Sequence, residues 1–234
     1  MRKLLIKMWV SDAGLTALLV VLCLQIFVFY PLADSALGKT LVQTLFFLLL
    51  VSGVMTVIGT HIWGKLVVLL ASVSLITRCV GYFYHSAQMM TLNTVMSLLF
   101  SVLLVSIILV QVFREGPVNA HRIAGSVAAY LLIGITSGVA YFLIALQSPD
   151  AFSFQRPLIS ADEHVLQAKL FYFSFITLTS VGYGDIVPVH PMAQTLAMFE
   201  ALIGQLFPAI LLARLVSLEI ESREIRRKEE KQPT

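Results

Sequence analysis

The chain is organised around one segment, Thr177-Leu178-Thr179-Ser180-Val181-Gly182-Tyr183-Gly184-Asp185. Gly182 and Gly184 stand at alternate positions, where glycine gives access to backbone conformations that residues with side chains disfavour. Long apolar segments flank this stretch on both sides. Non-helical backbone at membrane depth is tolerated only where protein buries it or where it lines a water-filled cavity. We therefore interpret the segment as a functional loop held inside a membrane protein.

The last seven residues of the segment resemble the selectivity filter of potassium channels, whose usual form is Thr-Thr-Val-Gly-Tyr-Gly-Asp. The single departure is Ser180, where most members of that family have a threonine; a hydroxyl remains, without the methyl group that helps to pack it. The resemblance implies that K⁺ is held by the Ser180 hydroxyl and by the carbonyls of Ser180, Val181, Gly182 and Tyr183, which replace its hydration shell. The whole predicted filter is Thr179, Ser180, Val181, Gly182, Tyr183, Gly184 and Asp185.

An enzymatic interpretation of the same residues fails. Gly182-Tyr183-Gly184-Asp185 also fits the Gly-x-Gly-Asp pattern of intramembrane aspartyl proteases, which need a second aspartate because two carboxylates share a proton. The remaining aspartates lie outside the apolar spans: Asp12, Asp34, Asp150 and Asp162. We therefore expect no catalytic residues and no enzymatic activity.

The composition is that of a membrane protein. Of the 234 residues, 58% are hydrophobic and 12% are charged, and the mean hydropathy is +0.89. Soluble domains carry about 25% charged residues. Spans of roughly 20 apolar residues cross the hydrocarbon core, and six segments qualify: Ala13–Pro31, Leu41–Thr60, Leu66–Tyr84, Leu92–Phe113, Ile123–Leu146 and Met192–Leu218. The shorter run Val165–Leu178 has the length of a re-entrant half-helix, so the sequence predicts an all-α protein with six transmembrane helices, a pore helix and a filter loop.

Three regions follow from this layout: a four-helix transmembrane region over 1–113, a pore domain over 114–222 and a charged tail over 223–234. Excess Lys and Arg mark cytoplasmic segments, and placing both termini in the cytoplasm puts most of the basic residues there. The fourth span, Leu92–Phe113, lacks the arginine ladder of voltage-gated relatives. Arg78 is the one basic residue deep in an early span, and we expect it to have a partner or a water-filled pocket because a charge there is costly.

The pore helix and the outer loop supply candidates for filter support. Tyr172 and Phe173 stand where many members of the resembled family carry tryptophans that pack against the filter tyrosine, and Thr177 precedes the filter directly. Ile176 stands where some members have a glutamate that bonds to the filter aspartate, so that link is absent here. Asp150 and Asp162 either attract cations to the outer mouth or belong to an ordinary solvated loop.

The last span contains a candidate gate. Pro208 lacks the N–H that would bond to the carbonyl of Gly204, so both residues weaken one turn, and Gly204 matches the hinge glycine of the resembled family. Close helix packing is the alternative role for Gly204. Four residues at helical spacing would line the cavity and its constriction: Gln205, Pro208, Leu212 and Val216. Glu200, the only acid deep in a span, is expected to bond to the pore helix or to a neighbouring chain.

These features predict a potassium-selective channel subunit of the cell membrane that conducts passively and is not steeply voltage-gated. One filter segment supplies a quarter of a four-fold carbonyl cage, so a homotetramer in the lipid bilayer is expected. No cofactor and no nucleic acid partner are expected, since K⁺ is the permeant ion. A less selective cation channel and a non-conducting partner or scaffold subunit remain alternatives. The gating stimulus cannot be deduced from the sequence.

Overall fold

The computed structural model describes residues 16–27, 36–57, 63–83, 86–113, 120–155 and 162–230. Seven helices lie in these ranges, and they are numbered here in chain order: α1 Thr16–Phe27, α2 Ala36–Val57, α3 Trp63–Phe83, α4 Ala87–Val112, α5 Ala120–Gln147, α6 Glu163–Leu178 and α7 Pro191–Glu230. A 3₁₀ turn, Pro149–Ala151, and two short strands, β1 Phe152–Phe154 and β2 Ile186–Pro188, lie near the filter segment.

Four helices of the described residues are long and apolar enough to cross a membrane. Their apolar windows are Gly64–Gly81, Ala87–Val112, Ile123–Gln147 and Pro191–Arg214, which coincide with the last four predicted spans. The first two predicted spans contain the shorter apolar helices Thr16–Phe27 and Thr44–Met55, and the rest of each span reaches residues outside the described ranges. The six-span layout therefore stays a prediction.

The helices pack in chain order. α2 packs on α3, α3 on α4, and α4 on α5, while α5, α6 and α7 contact one another. One apolar cluster runs through this arrangement and includes Leu22, Leu49, Leu104, Ile108 and Leu132. The predicted division at residue 113 falls between α4 and α5, and it remains an interpretation because these two helices share that cluster.

The short helix α6 occupies the place predicted for the pore helix, two residues longer than the run Val165–Leu178. Asp162 caps its first turn, since its carboxylate accepts a hydrogen bond of 3.0 Å from the His164 N–H. Thr179 ends the helix, and its N–H bonds to the Phe175 carbonyl. The filter segment therefore begins at the C-terminal end of a helix.

The antiparallel pairing of β1 with β2 was not predicted from the sequence. Phe152 pairs with Pro188 and Phe154 with Ile186, which joins the loop before α6 to the segment after the filter. Strands of three residues are too short to show a period-two pattern, and the sequence analysis assigned this stretch to loop. An apolar cluster that includes Tyr141, Phe152, Phe173 and Ile186 covers one face of the pairing.

The last helix, α7, is continuous through Gly204 and Pro208 and stays helical to Glu230. It therefore combines the predicted last span with the charged segment that follows. Near the inner end of the span, Arg214 donates a hydrogen bond to the carbonyl of Phe113 and lies 5.3 Å from the ring of the same residue. This contact joins the lower half of α7 to the end of α4.

Candidate functional site

The backbone of the filter segment alternates in handedness. Ser180, Gly182 and Gly184 have φ values of 58°, 56° and 76°, whereas Val181 and Tyr183 between them do not have positive φ. Alternation of this kind turns successive N–H groups toward one side of the chain. The N–H groups of Val181 and Gly182 both donate to the Ile176 carbonyl, at 2.9 and 3.2 Å. The N–H groups of these two residues are therefore directed toward α6.

The positive φ values explain the residue types. A Cβ added to Gly182 or Gly184 would meet no atom within 4 Å, so alanine is opposed at these positions by backbone strain rather than by a clash within the chain. At Ser180 the same region of φ is a marked outlier for a β-branched residue. Serine instead of the usual threonine therefore keeps the hydroxyl while reducing that conflict.

The two hydroxyls at the inner end of the segment have different partners. Thr179 Oγ1 donates to the Phe175 carbonyl at 2.7 Å, so this hydroxyl belongs to the end of α6. Ser180 Oγ accepts a hydrogen bond of 3.2 Å from Gln205 Nε2. Gln205, predicted from the sequence to line the cavity, is thus exposed directly beneath the filter and holds the Ser180 side chain.

Sequence reasoning missed a residue at the outer end of the segment. Gln155 donates from its backbone N–H to the Asp185 carbonyl at 3.0 Å and from Nε2 to the Gly184 carbonyl at 3.2 Å. Gln155 follows β1, so the strand pairing positions it. In the sequence, the available signal for this residue was a polar side chain directly after two phenylalanines at alternating positions. Asp185 Oδ1 is buried and has no hydrogen-bond partner in the described part of the chain. This agrees with the expectation that Ile176, which is apolar, cannot form the bond that a glutamate at its position would give to Asp185.

Glu200 lies behind the filter, buried between three helices, with 1% of its surface exposed. Tyr141 on α5 donates to Glu200 Oε2 at 2.6 Å. The Ser174 hydroxyl on α6 lies 2.5 Å from Glu200 Oε1 and 2.6 Å from the Gly134 carbonyl oxygen. The expected bond between Glu200 and the pore helix is therefore present. This polar cluster, made of Tyr141, Ser174 and Glu200, links α5, α6 and α7.

At Gly204, α7 packs closely against the end of α6. A Cβ there would collide with the backbone carbonyl of Leu178, the last residue of α6. Tyr130 also donates to the Leu178 carbonyl, at 3.3 Å. The packing alternative for Gly204 thus has direct support, and the glycine sets the register that brings the following residue, Gln205, beneath Ser180.

The aromatic residues of α6 lie elsewhere than the resemblance implies. The Phe173 ring is 5.0 Å from that of Tyr141 and 5.6 Å from that of Phe152, and Tyr172 packs at the edge of the same cluster. Tyr183 is 70% exposed, so it does not pack on Phe173 of the same chain. Phe173 thus faces the strands within one chain, and packing of Tyr172 or Phe173 against a filter tyrosine stays a prediction.

The remaining predicted residues divide between surface and structural positions. Leu212 and Val216 are exposed on α7, below Pro208, which is half-buried. Thr177 accepts a hydrogen bond of 2.9 Å from the Ser180 N–H through its carbonyl. Asp162 serves as the helix cap described above, which favours the structural alternative for this residue.

The electrostatics of the site come from backbone dipoles. The C-terminal end of a helix carries a partial negative charge that favours a nearby cation, and α6 ends where the filter begins. Among the described residues, no group of three or more His, Cys, Asp or Glu side chains is placed to hold a metal ion.

Comparison with known proteins gives matches to channels. A family model described as "Ion channel" matches residues 130–221. Protein LctB of Bacillus caldotenax is 31% identical over 87 residues, which are 37% of this chain and 64% of that protein. Two-pore potassium channel 4 of Arabidopsis thaliana is 37% identical over 87 residues, 37% of this chain and 27% of that protein. Inward rectifier potassium channel Kirbac3.1 of Paramagnetospirillum magnetotacticum is 45% identical over 40 residues, 17% of this chain and 14% of that protein.

The extent of these matches is limited. The chain spans 64%, 27% and 14% of the length of these three relatives, less than two thirds in each case. The family match covers most of α5, all of α6, the filter segment and α7 as far as residue 221. No solved structure gives a significant match to the chain.

Proposed function

We propose that this chain, which matches an ion channel family over residues 130–221 and is similar to potassium channels, is the subunit of a potassium-selective channel that conducts passively across the cell membrane. The observation that carries the proposal is the alternating backbone of residues 180–184, in which the N–H groups of Val181 and Gly182 bond to the Ile176 carbonyl of α6. The carbonyls of Ser180, Val181, Gly182 and Tyr183 then point to a common axis. There they replace the hydration shell of K⁺, with the Ser180 hydroxyl as the innermost ligand.

The functional unit of the proposal is a homotetramer. One filter segment presents oxygen ligands to only one side of a bound cation, and four copies of the segment complete the cage. In the single chain, Val181 is 50% and Tyr183 70% exposed, so both have surface available to neighbouring copies. Apolar residues along the first half of α7 are exposed as well, among them Met198, Phe199, Leu202 and Leu206. Such a surface requires either lipid or other subunits.

The orientation follows the Lys and Arg bias of the loops. Both termini lie in the cytoplasm, six helices cross the membrane, and the filter lies toward the outer face. α6 enters from that face and directs its C-terminal end inward, below the filter. No chemistry and no cofactor are required, because ions move down their own gradient. No nucleic acid takes part.

The gate of the proposed channel lies on α7. Leu212 and Val216 are exposed one and two turns below Pro208, and four copies of each would converge on the axis. Apolar side chains at a constriction stop ions by dewetting. Cysteines at these two positions would react with a cytoplasmic thiol reagent and change the current. No response at either site, in any state, would place the gate in the filter.

A less selective cation channel is the second candidate, and Ser180 favours it. Without the methyl group of threonine, the innermost site has one packing contact fewer and a more mobile side chain. The hydrogen bond from Gln205 opposes that mobility. The outcome for selectivity is therefore decided by this pair of residues.

A flux assay separates the candidates. The purified protein is reconstituted in liposomes, and the uptake of Rb⁺ and of Na⁺ is measured against an outward K⁺ gradient. A selective channel takes up Rb⁺ and little Na⁺, whereas a less selective channel takes up both. If neither ion enters, the chain is a partner or scaffold subunit, and the proposal is wrong.

A further inference from the structure

A cavity of about 640 Å³ lies between the N-terminal helices and the pore helices. Ligand-binding cavities have volumes of about 300–1,000 Å³, so the size suits a small amphiphile. Its walls come from α1, α2, α3, α4, α5 and α6. The cavity is distinct from the filter segment, none of whose residues lines it.

The Arg78 guanidinium supplies a positive charge to this cavity. The Arg78 side chain lines the cavity, donates from Nη2 to Ser97 Oγ at 3.0 Å and lies 3.6 Å from the centre of the Phe46 ring. Both partners are neutral. Among the described residues, Nε has no hydrogen-bond partner, and the one carboxylate that lines the same cavity is that of Glu163, at the start of α6. Charges removed from water are normally paired, so an anionic group beside Nε would complete the environment of the guanidinium.

Within the part of the chain that the structure describes, two further polar groups beside the same cavity lack hydrogen-bond partners. Gln25 is only 8% exposed, and its Oε1 has no hydrogen-bond partner. Asn93 Oδ1 is also unpartnered, and both residues contribute to the cavity wall. A bound molecule that carried hydroxyl groups or water would supply the missing donors after small side-chain shifts.

Part of the wall, contributed by α2 and α5, is apolar, while polar side chains line other parts of it, among them Ser86, Thr94, Glu163, His164 and Gln167. Leu49, Leu50, Ile135, Val139 and Phe142 face the cavity from α2 and α5. Arg78 itself stands three residues before the end of the apolar window Gly64–Gly81, about 4.5 Å along the helix axis. A charged group at the end of a span and an apolar wall beside it match the headgroup and the acyl chain of a lipid.

We propose that this cavity binds an anionic phospholipid, with the phosphodiester headgroup on the Arg78 guanidinium and an acyl chain along α2 and α5. Arginine suits this role because its planar fork of donors matches phosphate oxygens, and Nε together with a terminal nitrogen can form a bidentate pair. The occupied cavity would join the N-terminal helices to α5 through the lipid. Lipid binding does not require ion conduction. A negative result in the lipid-binding test would therefore leave the proposed channel function unaffected, and the reverse also holds.

The test compares lipid binding by native mass spectrometry of the detergent-purified protein. Dioleoylphosphatidylglycerol is titrated against dioleoylphosphatidylcholine, which has the same chains and a zwitterionic headgroup. We expect the wild-type protein to bind the anionic lipid about tenfold or more tightly, and Arg78→Gln to abolish that preference, since hydrogen bonds to charged groups carry factors of this size. Arg214→Gln is the matched control, because Arg214 also lies near an aromatic ring in a span but not at the cavity.

Several results would overturn the proposal. Equal affinity of the wild-type protein for the two lipids is one, and an unchanged preference in Arg78→Gln is another. Loss of the preference in Arg214→Gln as well would show a general charge effect. Full competition by millimolar inorganic phosphate would contradict the assignment to a lipid. If Arg78→Gln does not fold, Arg78→Lys keeps the charge, and a folded Arg78→Lys protein without any preference for the anionic lipid would contradict the proposal too.

Discussion

At the scale of single residues, the account depends on Ser180 and its partner Gln205. Serine has a freer side chain than threonine, whose branched Cβ restricts χ1. The hydrogen bond from Gln205 Nε2 fixes the Ser180 hydroxyl from below. Gln205 thereby takes over part of the restraint that the methyl group gives in the usual filter sequence. It is a positioning residue, acting through Ser180 on the innermost ion site.

The first prediction tests this pair. Gln205→Met keeps the length of the side chain and removes the donor, so the Ser180 hydroxyl loses its restraint. We expect the K⁺/Na⁺ permeability ratio to fall by about two- to tenfold, the range for one neutral hydrogen bond. The control is Gln194→Met on the same helix, where Gln194 Nε2 donates to the Pro188 carbonyl, also at 3.2 Å, far from Ser180. A ratio that is unchanged in Gln205→Met, or reduced equally in both variants, would contradict the assignment.

The sequence alone predicts the roles of residues that belong to the filter motif itself. The two filter glycines were predicted from their spacing, and the structure gives them positive φ. Gln155 was not predicted because its contacts to Gly184 and Asp185 depend on the pairing of two strands. Strands of three residues have no recognisable sequence pattern. Gly204 was predicted as a hinge or as a packing site, and only coordinates could reveal the Leu178 carbonyl opposite it.

At the scale of elements, the filter is positioned by contacts that converge on α6. The Glu200 cluster joins α6 to α5 and α7, and Gly204 seats α7 against the last turn of α6. These contacts, which lie within a few residues of the filter segment, thus fix the distances between α5, α6 and α7. A change in the position of α7 would be transmitted to residues 178–180 through the same contacts.

The second prediction concerns Gly204. Alanine stabilises a helix by about 1 kcal/mol relative to glycine, but at this position its Cβ meets backbone that cannot move aside cheaply, and overpacking costs about 1–3 kcal/mol. We therefore expect Gly204→Ala to lower the temperature of thermal unfolding and to change the open probability in single-channel recordings.

Gly53→Ala on α2 provides the control for this substitution. Its added Cβ would meet only the ends of the Leu104 and Phe100 side chains, at 2.8 and 3.1 Å, which can rotate away. It gains the same helix propensity without touching the filter. A Gly204→Ala protein with wild-type unfolding temperature and gating would show that α7 is not seated on α6 at this point.

At the scale of the whole molecule, the described residues include four apolar helices of membrane-spanning length, of which α5 and α7 flank the filter segment and α3 and α4 precede it. The pore helix and the inner helix could be predicted because they border a recognisable motif, and the resemblance to potassium channels is confirmed. The arrangement of α1 to α4 against α5 could not be predicted, since helices of nearly uniform hydrophobicity carry no pattern that selects a packing face.

The third prediction concerns voltage. Steep gating uses about three or four charges per subunit, each worth about 2.3 kcal/mol per 100 mV. α4 contains no Lys or Arg between Ala87 and Val112, and Arg78 on α3 is held by Phe46 and Ser97. We expect the open probability to change shallowly with voltage in planar-bilayer recordings. An apparent gating charge as large as that of channels with an arginine ladder would contradict this account.

The central claim is that residues 180–184 of four chains form a potassium-selective filter, and the bi-ionic reversal potential tests it most directly. The purified protein is placed in a planar bilayer with KCl on one side and NaCl of equal concentration on the other. A tenfold permeability ratio displaces the reversal potential by about 59 mV for a monovalent ion. The account predicts a displacement of at least this size in the direction of K⁺ selectivity, lost in Gly182→Ala. A reversal potential near zero in the wild-type protein would contradict it.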